Sequence, residues 1–212
     1  MKKIYLTLAF LSAFCFFANA QFNIGAGATY TNYAGEIKQG APGVHLRGNF
    51  YIREKYGLGL GFSYSMPMKA TETEEGLTLE RTSQFMGFSL LTSLHLIGGY
   101  ESDFSLYFPL GATYQVGKNK YKLSGSPSSG ITSIDVEDGN LNGFVVNLNI
   151  GLQYRIGNPF VFAEAGVALK AGANSYNTRD GYTANNNPTP GSTILQLGIR
   201  IPFGSGVGGG VY

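Results

Sequence analysis

Residues 144–156 read Phe144-Val145-Val146-Asn147-Leu148-Asn149-Ile150-Gly151-Leu152-Gln153-Tyr154-Arg155-Ile156. Every even position is apolar or aromatic. The odd positions carry Val145, Asn147, Asn149, Gly151, Gln153 and Arg155. Successive side chains of a strand point to opposite faces, so this segment predicts a strand with one greasy and one mostly polar face. A tilted strand needs roughly 9–11 residues to cross the hydrocarbon of a bilayer, and this segment is long enough.

Seven more segments alternate in the same way: residues 22–32, 44–53, 57–66, 85–97, 104–116, 160–171 and 194–203. The last sets Leu195, Leu197, Ile199, Ile201 and Phe203 against Ile194, Gln196, Gly198, Arg200 and Pro202. No apolar face of the eight carries a charge. Segment 85–97 is the least clean, with Phe85, Leu91 and Ile97 on its otherwise small or polar face. Pro109 falls on the inward face in mid-strand, where it cannot donate to a ladder, so a bulge is expected there.

The connections alternate in length. Residues 33–43, 67–84, 117–143 and 172–193 are long; Glu54–Tyr56, Gly98–Asp103 and Gly157–Pro159 are short. Short turns at one end and long loops at the other are the plan of an outer-membrane barrel. Tyr30, Tyr64, Tyr114 and Phe144 stand at the long-loop ends of the apolar faces, and Phe22, Phe104, Tyr154 and Phe203 at the short-turn ends. That is the placement of two aromatic girdles. The pattern gives an all-β, eight-stranded, antiparallel up-and-down transmembrane β-barrel over residues 21–203.

Composition agrees. Of 212 residues only 13% are charged, and 31 are glycine. Average soluble domains carry about 25% charged residues and about 7% glycine. Mean hydropathy is nonetheless zero, as expected for an average over a greasy and a polar face. A soluble barrel would have to expose a face of Gly, Ser, Thr and Asn with few charges, a poor choice for solubility. The charge-free stretch Thr82–Tyr100 is too diluted by Gln84, Ser89, Ser93, His95 and Gly98-Gly99 to be a spanning helix.

Lys2 and Lys3 precede the apolar run Ile4 to Phe17, and Ala18-Asn19-Ala20 supplies small residues for a signal peptidase. Residues 1–20 therefore read as a secretory signal cut after Ala20. The run is shorter than the roughly 20 residues of a membrane anchor. Cys15, the only cysteine, lies inside it, so the remaining chain has no thiol chemistry. Lys2 and Lys3 also account for the formal charge of +2, so no nucleic-acid partner is implied. Residues 204–212 form a glycine-rich C-terminal tail.

The signal end Ala18-Asn19-Ala20-Gln21, the opening Phe22-Asn23-Ile24-Gly25-Ala26-Gly27 and the last strand Leu195 to Phe203 resemble the bacterial outer-membrane β-barrel domain family labelled "porin family". In architecture the chain is also similar to small OmpX- and OmpA-type barrels. The resemblance is one of pattern and covers the whole mature chain. It implies an outer-membrane location in a Gram-negative bacterium. It also implies outer-membrane lipid, periplasmic chaperones and the barrel-assembly machinery as partners, and a monomer. Phe203 fits the aromatic residue that the family places at its C-terminal strand end; the tail after it departs from a strict terminal Phe.

Eight strands enclose a space that side chains just fill, so a plug is expected rather than a pore. Glu164 is the only inward acidic residue in mid-strand, and Arg47, Arg155, Lys170 and Arg200 point the same way. Glu164 is expected to pair with Arg200, and with Arg155 or Arg47, in a structural ion network, because a buried ion needs partners. The other readings are a small-solute channel and a lipid-modifying enzyme. An acyl-transfer site needs a His, a nucleophile and a carboxylate in reach. His45 and His95 lie near opposite ends of the barrel; Ser63 or Ser65 can approach His45, but no carboxylate is evident on those strands. No catalytic residue, metal site or cofactor is assigned. The loops Met66–Arg81, Gly117–Asn142 and Gly172–Ser192 are candidate surfaces for adhesion or docking, with no ligand named by their composition.

Overall fold

The computed structural model describes residues 21–34, 39–74, 77–125, 134–171 and 191–203. Residues 1–20, expected to be a secretory signal, residues 172–190 and residues 204–212 lie outside the described residues. Nine strands are present among them: β1 (Gln21–Tyr33), β2 (Gly40–Arg53), β3 (Tyr56–Ser65), β4 (Met68–Glu74), β5 (Leu77–Ile97), β6 (Phe104–Gly125), β7 (Ile134–Arg155), β8 (Phe160–Ala171) and β9 (Ser192–Phe203).

All pairings are antiparallel, and β3 pairs with the lower part of β5 while β4 pairs with its upper part. Eight strands therefore close a ring, β1-β2-β3-β5-β6-β7-β8-β9 and back to β1. The register can be walked round it from Asn23 through Asn49, Gly59, Leu91, Gly111, Asn147, Ala168 and Ser192. The walk returns to β1 at Tyr33, ten residues above its start. That stagger tilts the strands into the barrel range of about 35–45°.

The side chains are inside out relative to a soluble domain. Leu60, Leu197 and Leu46 are 59%, 53% and 51% exposed, while Arg200, Glu164, Gln153 and Asn49 are at most 2% exposed. Outward aromatics gather at the two rims: Tyr114 lies 5.0 Å from Phe144 at the upper, long-hairpin end, and Phe22 lies 4.7 Å from Phe50 at the lower end.

Two expectations are corrected. The long connections 67–84 and 117–143 are mostly strand, since β5 begins at Leu77, β6 runs to Gly125 and β7 begins at Ile134. Together with β4 they carry a sheet beyond the upper girdle, at about twice the length a bilayer span requires. Above the lipid both faces meet water, so the contrast between faces that marks a spanning strand fades. Pairing persists through cross-strand complements such as Glu80 opposite Lys122. Pro109 makes no bulge. It stays in register with Ser93, and the ladder to β7 merely drops the pairs at Phe108 and Pro109 before resuming at Leu110–Leu148. The register shifts lie instead at Tyr51/Arg53, His95/Ile97 and Asn119/Tyr121.

Candidate functional site in the barrel lumen

Alternation sends every second side chain of eight strands into one narrow tube, so the lumen is the site the fold builds. It is layered. In its lower half β8 presents Glu164, 1% exposed. Across the tube, β2 presents Arg47, whose Nη1 and Nη2 donate to Oε1 and Oε2 of Glu164 at 2.8 and 2.9 Å. Arg47 Nη2 also donates to Gln196 Oε1 at 2.9 Å. Arg200 on β9 donates to Glu164 Oε1 and, at 2.9 Å, to Gln153 Oε1 on β7. The Tyr107 hydroxyl on β6 donates to Glu164 Oε1 at 2.9 Å. The Arg200 guanidinium lies 4.1 Å from the Phe162 ring centre and 4.8 Å from that of Tyr107, in cation–π range. One carboxylate thus ties β2, β6 and β9 to β8 across the lumen, with both its oxygens occupied.

Of the five residues expected in the ion network, the structure brings together Glu164, Arg47 and Arg200. Arg155 is not among them. It sits at the lower rim, 3.8 Å from Asp103, donating to the Glu101 carbonyl at 2.6 Å and lying 4.7 Å over the Phe160 ring. Lys170 is exposed near the upper end of β8. Tyr107, Gln153 and Gln196 complete the cluster; parity points Tyr107 and the glutamines into the lumen as polar plug residues, but does not assign them to the ions.

Tyr107 holds its place because β7 offers Gly151 beneath its ring. A Cβ on Gly151 would stand 2.4 Å from Tyr107 Cζ. Gly151→Val should push the ring off Glu164 and destabilise the barrel by about 1–3 kcal/mol, the range for overpacking. Urea unfolding midpoints check this, and an unchanged midpoint would show that the ring has room to move.

Below the cluster comes an aromatic stack. His95 stacks on Tyr107 at 5.1 Å, Tyr51 meets His95 edge-on at 5.5 Å, and Tyr51 stacks on Tyr100 at 4.1 Å. Tyr100 belongs to the turn between β5 and β6. Gly98, with a φ of 67°, lets that turn reverse sharply. The Tyr100 amide donates to the Glu54 carbonyl at 2.7 Å, and Gln153 reaches the Tyr100 carbonyl at 3.3 Å. A turn residue thereby closes the bottom of the tube; Tyr100 is 1% exposed. Burial, with Tyr51 beside it, holds the Tyr100 phenol up at about 12, so it stays neutral.

Above the cluster lies a cavity of about 50 Å³, lined by Thr29, His45, Arg47, Gln115, Asn149 and Gln196 among others. An apolar lid of Tyr33, Ala41, Met68 and Phe85 sits over it, with Tyr33 and Phe85 stacked at 4.6 Å. Phe85 and Leu91, which spoil the alternation of segment 85–97, are buried inside.

His45 and Ser63 are cross-strand partners and both line the cavity. Both ring nitrogens of His45 lack a partner. Ser65 is engaged with the Phe85 backbone, accepting from its amide at 2.9 Å. Glu164, the carboxylate below, is held by the two arginines and Tyr107 and does not orient His45. His95 bonds Ser105 lower down, separated from His45 by the ion cluster. Among the described residues no group of three or more His, Asp, Glu or Cys is arranged to hold a metal ion.

No family model matches the chain, and no curated protein matches it. Solved structures do. A major outer membrane protein from Thermus thermophilus matches at TM-score 0.59 and 14% identity, covering 87% of this chain and 99% of that one. The outer membrane protein OprG from Pseudomonas aeruginosa matches at TM-score 0.54 and 12% identity, over 88% and 97%. Ail, the attachment invasion locus protein of Yersinia pestis, matches at TM-score 0.50 and 14% identity, over 87% and 99%. At these identities the likeness is one of fold: this chain has the fold of small bacterial outer-membrane β-barrel proteins.

Proposed function

We propose that the protein is a non-enzymatic integral outer-membrane barrel whose lumen is plugged by its own side chains. It works as a structural or surface-interaction element. The observation that carries this reading is the Glu164 clamp, a buried ion cluster spanning the tube from β2 to β8. An aromatic stack lies beneath it and an apolar lid above. A conducting path would have to break several charge-assisted hydrogen bonds at once.

Residues 1–20 direct export, and the mature barrel is delivered by periplasmic chaperones and the assembly machinery to the outer membrane of a Gram-negative bacterium, as a monomer. The charge-free outward band fits lipid. The sheet built from β4, β5, β6 and β7 stands above that band and offers the interaction surface. The unassembled Ser63–His45 pair gives no support to acyl transfer. Purified full-length protein in planar bilayers is expected to give no conductance steps above background. Discrete single-channel steps would overturn the plug and favour a small-solute channel.

A further inference from the structure

The three buried charged side chains among the described residues are Arg47, Glu164 and Arg200. Even with His45 and His95 neutral, the lumen carries one positive charge more than its carboxylate can match. Both oxygens of Glu164 are already taken, three donors meeting Oε1 and one meeting Oε2. A buried charge without a partner is strongly disfavoured, and among the described residues no second buried carboxylate supplies the missing negative charge.

The cavity lies on the side of Arg47 away from the aromatic stack. Polar atoms left without partners surround it: the Thr29 hydroxyl, both ring nitrogens of His45, and the carboxamide oxygens of Gln115 and Asn149. His45 is 5% exposed and Thr29 7%. Buried polar groups are almost always satisfied, so four such residues facing one space mean that the space is occupied. The hydroxyl and the imidazole N–H donate, and each carboxamide can turn its NH₂ group inward.

We propose that this cavity is a binding site for a small inorganic anion of halide size, held by Arg47, His45 and the surrounding hydroxyl and amide donors. A volume of about 50 Å³ is room for a few water-sized bodies, so a halide and one or two waters fit. The anion neutralises the excess charge of the cluster and gives the unpartnered donors an acceptor. It is a structural counter-ion fixed beneath the Tyr33–Phe85 lid, and its failure would leave the plugged-barrel reading untouched.

The test uses the full mature chain, folded in detergent micelles. Crystals grown with bromide in place of chloride should give an anomalous peak in the cavity, within hydrogen-bonding reach of Arg47 and His45. A cavity holding only water oxygens would overturn the proposal. In solution, raising chloride at constant ionic strength against gluconate should raise the unfolding midpoint in a saturable way. Identical midpoints in the two salts would also overturn it. Arg47→Met should abolish the response but also disturbs the ion cluster. Gly61→Val keeps every charge of the cluster in place: its Cβ meets no atom closer than 3.5 Å, with Arg47 Cγ at 3.8 Å, and the rest of the side chain takes up cavity space. It should fold and lose the halide response. A response that survives in Gly61→Val would place the anion elsewhere and sink the site.

Discussion

Glu164→Gln should destabilise the folded barrel by about 3–5 kcal/mol, the cost of breaking a buried ion pair from one side. The substitution keeps the shape of the side chain and removes its charge. Gln offers one carbonyl oxygen where the carboxylate used two, and its NH₂ group faces guanidinium donors. Arg47 and Arg200, 5% and 2% exposed, are then left as two buried cations without a counter-charge from the chain. The variant is to be compared with its parent by urea titration in lipid vesicles. The unfolding can be followed by circular dichroism or by the gel mobility of the folded barrel, since the chain has no Trp to report fluorescence. A triple substitution, Arg47→Met, Glu164→Leu and Arg200→Met, separates stranded charge from lost packing. Removing all the charges together should recover most of the loss, because apolar replacements of whole buried ion clusters are often neutral or stabilising. A Glu164→Gln protein as stable as the parent would mean that the lumen solvates the arginines by itself.

The barrel was legible in the sequence because lipid and lumen impose opposite chemistry on alternate residues, and eight segments record that contrast. The contrast stops at the girdle. Residues 77–82 and 120–125 continue as strands that are exposed or half-buried on both faces, and nothing in their hydropathy distinguishes them from loop. The ion cluster was half legible for a related reason. Parity tells which side chains share the lumen, but not which share a level. Arg155 and Glu164 lie on neighbouring strands, yet Arg155 pairs with Phe160 in the register, four residues below Glu164. At about 3.3 Å per residue that is about 13 Å along the strand, enough to send Arg155 to Asp103 and Glu101. Lys170 is six residues above Glu164, about 20 Å along the strand, and reaches the rim. Tyr107 and Gln153 join the cluster from β6 and β7, and only the closed ring sets their level. Tyr100 entered the plug from a turn, where no periodicity speaks; the preceding pair Gly98-Gly99 was its one local signal.

Leu148→Arg should cost about 2–4 kcal/mol when the barrel is folded in lipid, the range for a cation on the lipid face near the bilayer midplane. Leu148 lies midway along the outward face of β7, between Phe144 of the upper girdle and Tyr154 of the lower. It pairs with Leu110 and Val167, so no carboxylate stands beside it to receive the new charge. Val116→Arg, on the outward face of β6 two residues beyond Tyr114, should cost only about 0–1 kcal/mol, because the penalty falls away at the interface. Lys118 already stands exposed just above that position, where a cation meets water. The depth dependence carries the argument, since loss of β propensity or of cross-strand packing would weaken both variants alike. In detergent-free buffer a soluble barrel would treat Leu148, 43% exposed, as open surface, and the arginine would be neutral there or would improve solubility. Equal unfolding midpoints for the two variants in vesicles would take the outward face out of the bilayer, and another protein surface would then have to cover it.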